Sequence, residues 1–365
     1  MKKSFLYLFT VLCTLSFFTA CSDDDDPKDP NVLDVNASYS GDKLSLKYSD
    51  EMLLGKEISF DTKDGKTATI TMKGTFDMSS ITDLIGGGSK ANFIPSLAPG
   101  VIPGETVTTL NNVALTLSGE TYTFEGTDES NGRTVKYTGE VKKDMLTMAV
   151  NVTMPTNPLT EGKLWKMTGS VFAWKSSEKL PIGDGGWETE NAAALLNQMF
   201  ISPELMKVLA DVTFLPDGNV VATYGKDGLK SPINLANYYI KSSKLYVTLN
   251  IDMIIMTATK ANNADLMELV TALLQTPLMG ALSEGFPLNY TVENGVATIS
   301  LDQEFILPIL KVLLSSKYVT DMIGELIASN PDMAAMAPMI QAILGELPAV
   351  LEGTTELTFG LTLQK

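Results

Sequence analysis

The chain has 365 residues, with 43 Asp and Glu against 27 Lys and Arg, no histidine and two cysteines, for a net charge of -16 at pH 7. The missing histidine excludes zinc sites built on imidazole, Ser-His-Asp triads and Cys-His pairs, leaving carboxylate chemistry, Ser-Lys chemistry and oxygen-ligated calcium or magnesium. A single arginine, Arg133, in an acidic chain argues against a nucleic-acid partner, which needs clustered Lys and Arg.

A basic start, Met1-Lys2-Lys3, precedes an apolar run from Phe5 to Phe18 and then Thr19-Ala20-Cys21, the layout of a secretory signal. The run is shorter than the roughly 20 residues that cross a bilayer. Phe18-Thr19-Ala20-Cys21 resembles the lipobox of bacterial lipoproteins, with Phe18 where leucine is usual. The resemblance implies that residues 1–20 are a signal peptide, removed before Cys21, and that Cys21 is acylated. The other cysteine, Cys13, lies inside that signal, so the mature chain has no disulfide.

Ser22 to Pro30 holds Asp23 to Asp26, Asp29 and two prolines, and cannot bury apolar area, so residues 21–34 read as a disordered acidic tether. Acidic residues directly after the lipidated cysteine resemble the surface-export signal of Bacteroidetes lipoproteins. The implied location is the outer membrane, lipid-anchored at the cell surface, with a periplasm-facing lipoprotein as the other reading. Two or three acyl chains hold a protein to a membrane stably, where a single chain binds reversibly.

Residues 35–155 read as an N-terminal antiparallel β domain. Ile58 to Asp61 and Ala68 to Met72 flank Lys63-Asp64-Gly65-Lys66, and Asp-Gly between alternating runs is a strong hairpin signal. A second hairpin pairs Tyr122 to Gly126 with Thr134 to Tyr137 around Asp128-Glu129-Ser130-Asn131-Gly132, and a third pairs Lys136 to Glu140 with Leu146 to Val152. The meander is interrupted from Ser79 to Thr106, where a helical turn is expected over Ser80 to Ile85. The string Gly86-Gly87-Gly88-Ser89-Lys90 there lacks the GxxxxGK[ST] spacing of a phosphate loop.

Pro155-Thr156-Asn157-Pro158 marks a domain boundary, after which residues 159–365 read as an α+β domain. Strands are expected at Lys163 to Trp174, Val212 to Phe214, Asn219 to Tyr224, Tyr238 to Ile240, Lys244 to Ile251, Leu288 to Val292, Ala297 to Leu301 and Thr355 to Leu363. Helical patterns lie at Ala192 to Phe200, Pro203 to Ala210, Asn263 to Leu282, Phe305 to Ser329 and Asp332 to Leu351. The last two are apolar over most of their circumference and call for burial nearly all round.

The predicted fold class is mainly β with an α+β second half: two antiparallel β-meander or barrel-like domains, the second covered by apolar helices. Two tandem meanders behind such a signal resemble the calycin-like, or lipocalin-like, lipoproteins of gut Bacteroidetes. Where lipocalins carry Gly-x-Trp in the first strand, this chain has Gly162-Lys163-Leu164-Trp165.

Candidate chemistry is sparse. Ser176-Ser177-Glu178-Lys179 has Ser-x-x-Lys spacing, but neither Ser-Asp-Asn nor Lys-Thr-Gly follows. Trp187, in Gly183-Asp184-Gly185-Gly186-Trp187-Glu188, either stacks on a sugar or plugs one end of the sheet. That loop lacks the ligand order of a calcium hand, and no cofactor motif is found. Trp174, Met336 and Met339 are further candidate ligand contacts, the methionines sharing a stripe with Met322 and Met333 that fits either an adaptable pocket or core. The favoured expectation is a non-catalytic binding or structural lipoprotein, its partners a membrane through the anchor and a glycan or apolar small molecule. The alternative is a carboxylate-based glycoside hydrolase acting on cell-envelope or dietary polysaccharide.

Overall fold

The computed structural model of the protein describes residues 32–75, 98–160, 164–225, 227–250, 252, 272–273, 276–329 and 337–365. The signal peptide, Cys21, the tether to residue 31, the Ser80 to Lys90 features, most of the Asn263 to Leu282 helical pattern, Met333 and Met336 lie outside the described residues.

Residues 37–153 form two sheets. One has the order β1 (Ala37–Ser40), β4 (Lys56–Asp61), β5 (Thr67–Gly74), β6 (Val107–Ala114); the other runs β3 (Glu51–Met52), β2 (Leu44–Tyr48), β10 (Met145–Thr153), β9 (Arg133–Lys142), β8 (Thr121–Ser130), β7 (Thr116–Ser118). Alternate residues of each point to one shared core: Ile58, Phe60, Ile70, Met72 and Leu110 from the first sheet meet Leu46, Tyr122, Phe124, Val135, Leu146, Met148 and Val150 from the second. Each sheet has one apolar face, and facing them together is the way to bury both.

This half is therefore not a single meander, because β2 pairs parallel with β10. The second predicted hairpin also tightens. β8 and β9 run on to Ser130 and Arg133, leaving the two-residue turn Asn131-Gly132, with φ of 51° and 75°. Asn and Gly tolerate the left-handed backbone that matches strand twist.

The second half is an eight-stranded antiparallel barrel. β11 (Trp165–Ser176), β12 (Leu209–Phe214), β13 (Asn219–Tyr224), β15 (Ala236–Lys241), β16 (Lys244–Leu249), β17 (Phe286–Glu293), β18 (Val296–Leu301) and β19 (Thr354–Gln364) pair in sequence, and β19 pairs back to β11 to close the ring. The short β14 (Leu229–Lys230) flanks β13. Closure leaves the ring no free edge, and the architecture is the one calycins have.

Inward residues form the barrel core: Trp165, Met167, Val212, Phe214, Tyr238, Leu245, Ala297, Ile299 and Leu363. Trp165, fully buried, donates its indole N–H to the Leu159 carbonyl at 2.7 Å, and the Lys365 ammonium sits 5.4 Å from its ring centre. This tryptophan seals the end of the barrel nearest the chain boundary.

Helices enter between strands. α1 (Thr189–Leu196) and α2 (Ser202–Val208) lie between β11 and β12, α3 (Leu278–Glu284) precedes β17, and α4 (Gln303–Ser315), α5 (Lys317–Ser329) and α6 (Ala337–Glu352) separate β18 from β19. The pattern predicted from Phe305 to Ser329 is two helices, broken where Ser316 turns extended (φ -77°, ψ 122°). Serines compete with helix through their own hydrogen bonds.

Burial of these helices is partial, short of what the all-round apolar pattern calls for. Phe305, Val350 and Leu351 are buried, and Ile306, Leu310 and Leu347 pack beside Trp174 and Leu357. Met322 remains 51% exposed.

A buried polar network joins the two halves. The turn after β12 carries Asp217, whose carbonyl accepts from the Tyr48 hydroxyl and whose carboxylate accepts from Ser49 Oγ at 2.5 Å. Asn234, fully buried at φ 67°, donates its side-chain amide to the carbonyls of Tyr48 (2.9 Å), Glu51 (3.1 Å) and Met52 (3.2 Å). Its backbone N–H in turn reaches Asn219 Oδ1 at 2.8 Å. Lys56 on β4 is likewise buried and donates to the Pro99 carbonyl at 2.7 Å; burial pushes its pKa down to about 8, against the attraction of Asp252.

Candidate functional site

A cleft of about 640 Å³ opens where the two-sheet half meets the sealed end of the barrel. One wall is Pro103, Gly104 and Glu105 from the segment before β6, with Asn131 and Arg133 from the β8–β9 turn. The floor is the boundary segment Met154 to Pro158, and the far wall is Tyr238 to Lys241 on β15 with Tyr290 on β17.

Arg133 is the most constrained group. It is 5% exposed, clamps Glu105 with two N–H groups (Nε to Oε1 2.8 Å, Nη2 to Oε2 2.9 Å) and gives a third to Asp128. Thr108 adds a further hydrogen bond to Glu105. Burial alone would raise the Glu105 pKa, but the bonds from Arg133 and Thr108 outweigh it and hold the carboxyl below its usual range. Glu105 is an ionised acceptor, poorly suited to donate a proton near neutral pH, and it is the one carboxylate among the described lining residues.

The aromatic side is differently built. Tyr238 packs edge-on against Phe214 at 5.1 Å, and its hydroxyl donates to the Leu215 carbonyl and accepts from Asn157 Nδ2. Tyr239 faces outward, stacks on Tyr246 at 4.9 Å and donates to the Glu284 carbonyl. Burial pushes both phenols up to about 12. Gly104 lies flat on Tyr239, where a Cβ would come 2.9 Å from the ring. The Tyr290 ring packs on the barrel core, and its hydroxyl meets no hydrogen-bond partner among the described residues.

The residues singled out from the sequence lie elsewhere. Trp174 is buried beneath the helices and donates its N–H to Thr354 Oγ1 at 2.9 Å. Trp187 is 39% exposed and exchanges two backbone bonds with Leu180, so it caps a small loop and does not plug the sheet. Met339 is half-buried on α6. Ser176 gives its hydroxyl to the Val350 carbonyl, and Lys179 pairs with Glu188 at 2.7 Å, so the Ser-x-x-Lys residues are occupied separately.

Sequence reading missed the cleft because its walls come from segments about 190 residues apart. Two signals were present: the lone arginine of an acidic chain, and the proline-rich boundary that becomes the floor. Among the described residues, no group of three or more Cys, Asp or Glu side chains is arranged to hold a metal, and no helix is long and apolar enough to cross a membrane. No protein-family model, curated protein or solved structure matches this chain.

Proposed function

We propose that the protein is a non-catalytic glycan-binding lipoprotein of the calycin-like kind known from Bacteroidetes, held at the outer-membrane surface through acylated Cys21, with the cleft between its two halves as the binding site. The observation that carries the reading is the cleft's lining. Tyr290, Pro103, Pro155 and Pro158 line it beside the Asn131 and Asn157 amides and the Thr156 hydroxyl, and its carboxylate is locked in an ion pair. Sugars are bound by this mixture of flat apolar faces and directed polar groups. A hydrolase would need a pair of acids at about 5 to 9.5 Å, one of them with a raised pKa; the Glu105 pKa is lowered, and the neighbouring Asp128 is tied to the same guanidinium. An apolar ligand finds its support in the half-buried side chains of α4 and α6 beside Trp174.

The test is glycan-array screening of the full chain, followed by calorimetric titration of wild type and Tyr290→Phe. The substitution removes one unpartnered hydroxyl, and losing one hydrogen bond weakens binding by about two- to tenfold, with an unchanged melting temperature. Absence of binding to every glycan, or equal binding by the variant, refutes the reading.

A further inference from the structure

From the hairpin at the rim of this cleft we infer that the ligand is an acidic glycan, whose carboxylate or sulfate group is met by Lys241. The inference rests on the glycan reading and adds the charge of the substituent.

The β15–β16 hairpin breaks two local rules at once. Its turn is Ser242-Ser243, at φ of 50° and 63°. The corresponding turns Asn131-Gly132 and Asn294-Gly295 use the residues that this backbone favours, whereas a serine in the left-handed region costs about 1 kcal/mol. One other turn of this kind, Ser49-Asp50, also lacks glycine, but there the serine is engaged with Asp217 across the junction. Neither Ser242 nor Ser243 has a hydrogen-bond partner among the described residues.

The second violation is in the charges. Lys241 and Lys244 stand directly opposite each other in the ladder, a like-charge cross-strand pair, which is destabilising. Lys244 is relieved by Asp302 at 3.2 Å. Lys241 has no ion-pair partner among the described residues, although acidic residues outnumber basic ones 43 to 27.

Lys241 also has a distinctive position. It lines the main cleft and, with Pro103, Gly104, Glu105 and Tyr239, a smaller adjoining one of about 150 Å³. The other cation of the main cleft, Arg133, is committed to Glu105 and Asp128. An ammonium without an ion-pair partner at the rim of the cleft, flanked by two unused hydroxyls, is an anion-recognition group. Local strain without local benefit is the signature of a residue set kept for binding.

The experiment titrates the full chain with three probes: oligogalacturonate, a sulfated dextran oligomer and neutral maltoheptaose, at low and at physiological salt. At least one anionic probe is expected to bind more tightly than the neutral one, with affinity falling as salt rises. Lys241→Gln should weaken that probe about tenfold, the scale of one charge-assisted hydrogen bond, and maltoheptaose by clearly less; Lys241→Arg should retain it. Lys241 is exposed, so the variants are expected to fold, and a melting curve checks this. Anionic probes that bind no better than maltoheptaose, or bind Lys241→Gln equally well, overturn the inference while leaving the glycan reading in place. Failure of all three probes alongside an empty glycan array overturns both.

Discussion

Replacing Asn234 by alanine should uncouple the two halves of the molecule. Its side-chain amide is the shared donor for three carbonyls on the β2–β3 turn. Removal leaves the buried Tyr48 carbonyl unsatisfied, at about 1–3 kcal/mol, and takes a donor from the partly exposed Glu51 and Met52 carbonyls, while alanine at φ 67° adds about 1 kcal/mol of backbone cost. Part is returned, because Asn234 Oδ1 is itself buried without a partner. The net is about 3 kcal/mol, concentrated at the junction, against total stabilities of about 5–15 kcal/mol for ordinary domains.

The assay exploits tryptophan placement: Trp165, Trp174 and Trp187 all lie in the barrel half. Urea unfolding followed by tryptophan fluorescence reports the barrel, while far-UV circular dichroism reports both halves. The wild-type curves should superimpose, as for one cooperative unit, and those of Asn234→Ala should separate. Asn234→Gly, which accepts the positive φ, should separate them with a smaller loss of stability. Superimposed curves and an unchanged midpoint in Asn234→Ala would refute the reasoning, as would separated curves in the wild type.

Two more predictions concern charge. Lys56 has a folded pKa of about 8 against its ordinary 10.5, so its burial cost is fully present below pH 8 and is relieved as pH rises, a gain of roughly 3 kcal/mol by about pH 10.5. Tyr39, Tyr238 and Tyr239, pushed up to about 12, act oppositely, since between pH 10 and 12 the folded state keeps protons that the unfolded chain has lost. Stability should therefore peak near pH 10, and a denaturation series on Lys56→Met should lose the rise between pH 8 and 10 while keeping the later fall. Arg133→Met should cost about 3 kcal/mol in urea unfolding, toward the lower end for a broken buried pair because Asp128 is partly exposed. Arg133→Lys should recover less than half of that, since an ammonium has no two-pronged fit to Glu105; full recovery would mean that the forked geometry is unimportant.

The strands were legible wherever alternation and turn chemistry agreed. Asn219 to Tyr224 was read at its observed limits, and Lys63-Asp64-Gly65-Lys66 and Glu293-Asn294-Gly295 each sit at an observed hairpin. The helices misled in one respect. An apolar circumference on α4 and α6 calls for burial on every side, yet among their described residues only Phe305, Val350 and Leu351 are fully buried and the other apolar side chains of α4 are half-buried.

The sequence by itself determined the alternating strands, their turns, the acidic and histidine-free chemistry, and the proline-marked boundary, because each is a property of neighbours along the chain. Only the tertiary structure decided that eight of the strands close into a ring, that β2 runs parallel to β10, and that Arg133, Glu105, Lys241 and Tyr290 share one cleft. Those outcomes depend on which apolar faces meet across more than a hundred residues, and local pattern carries no record of that choice.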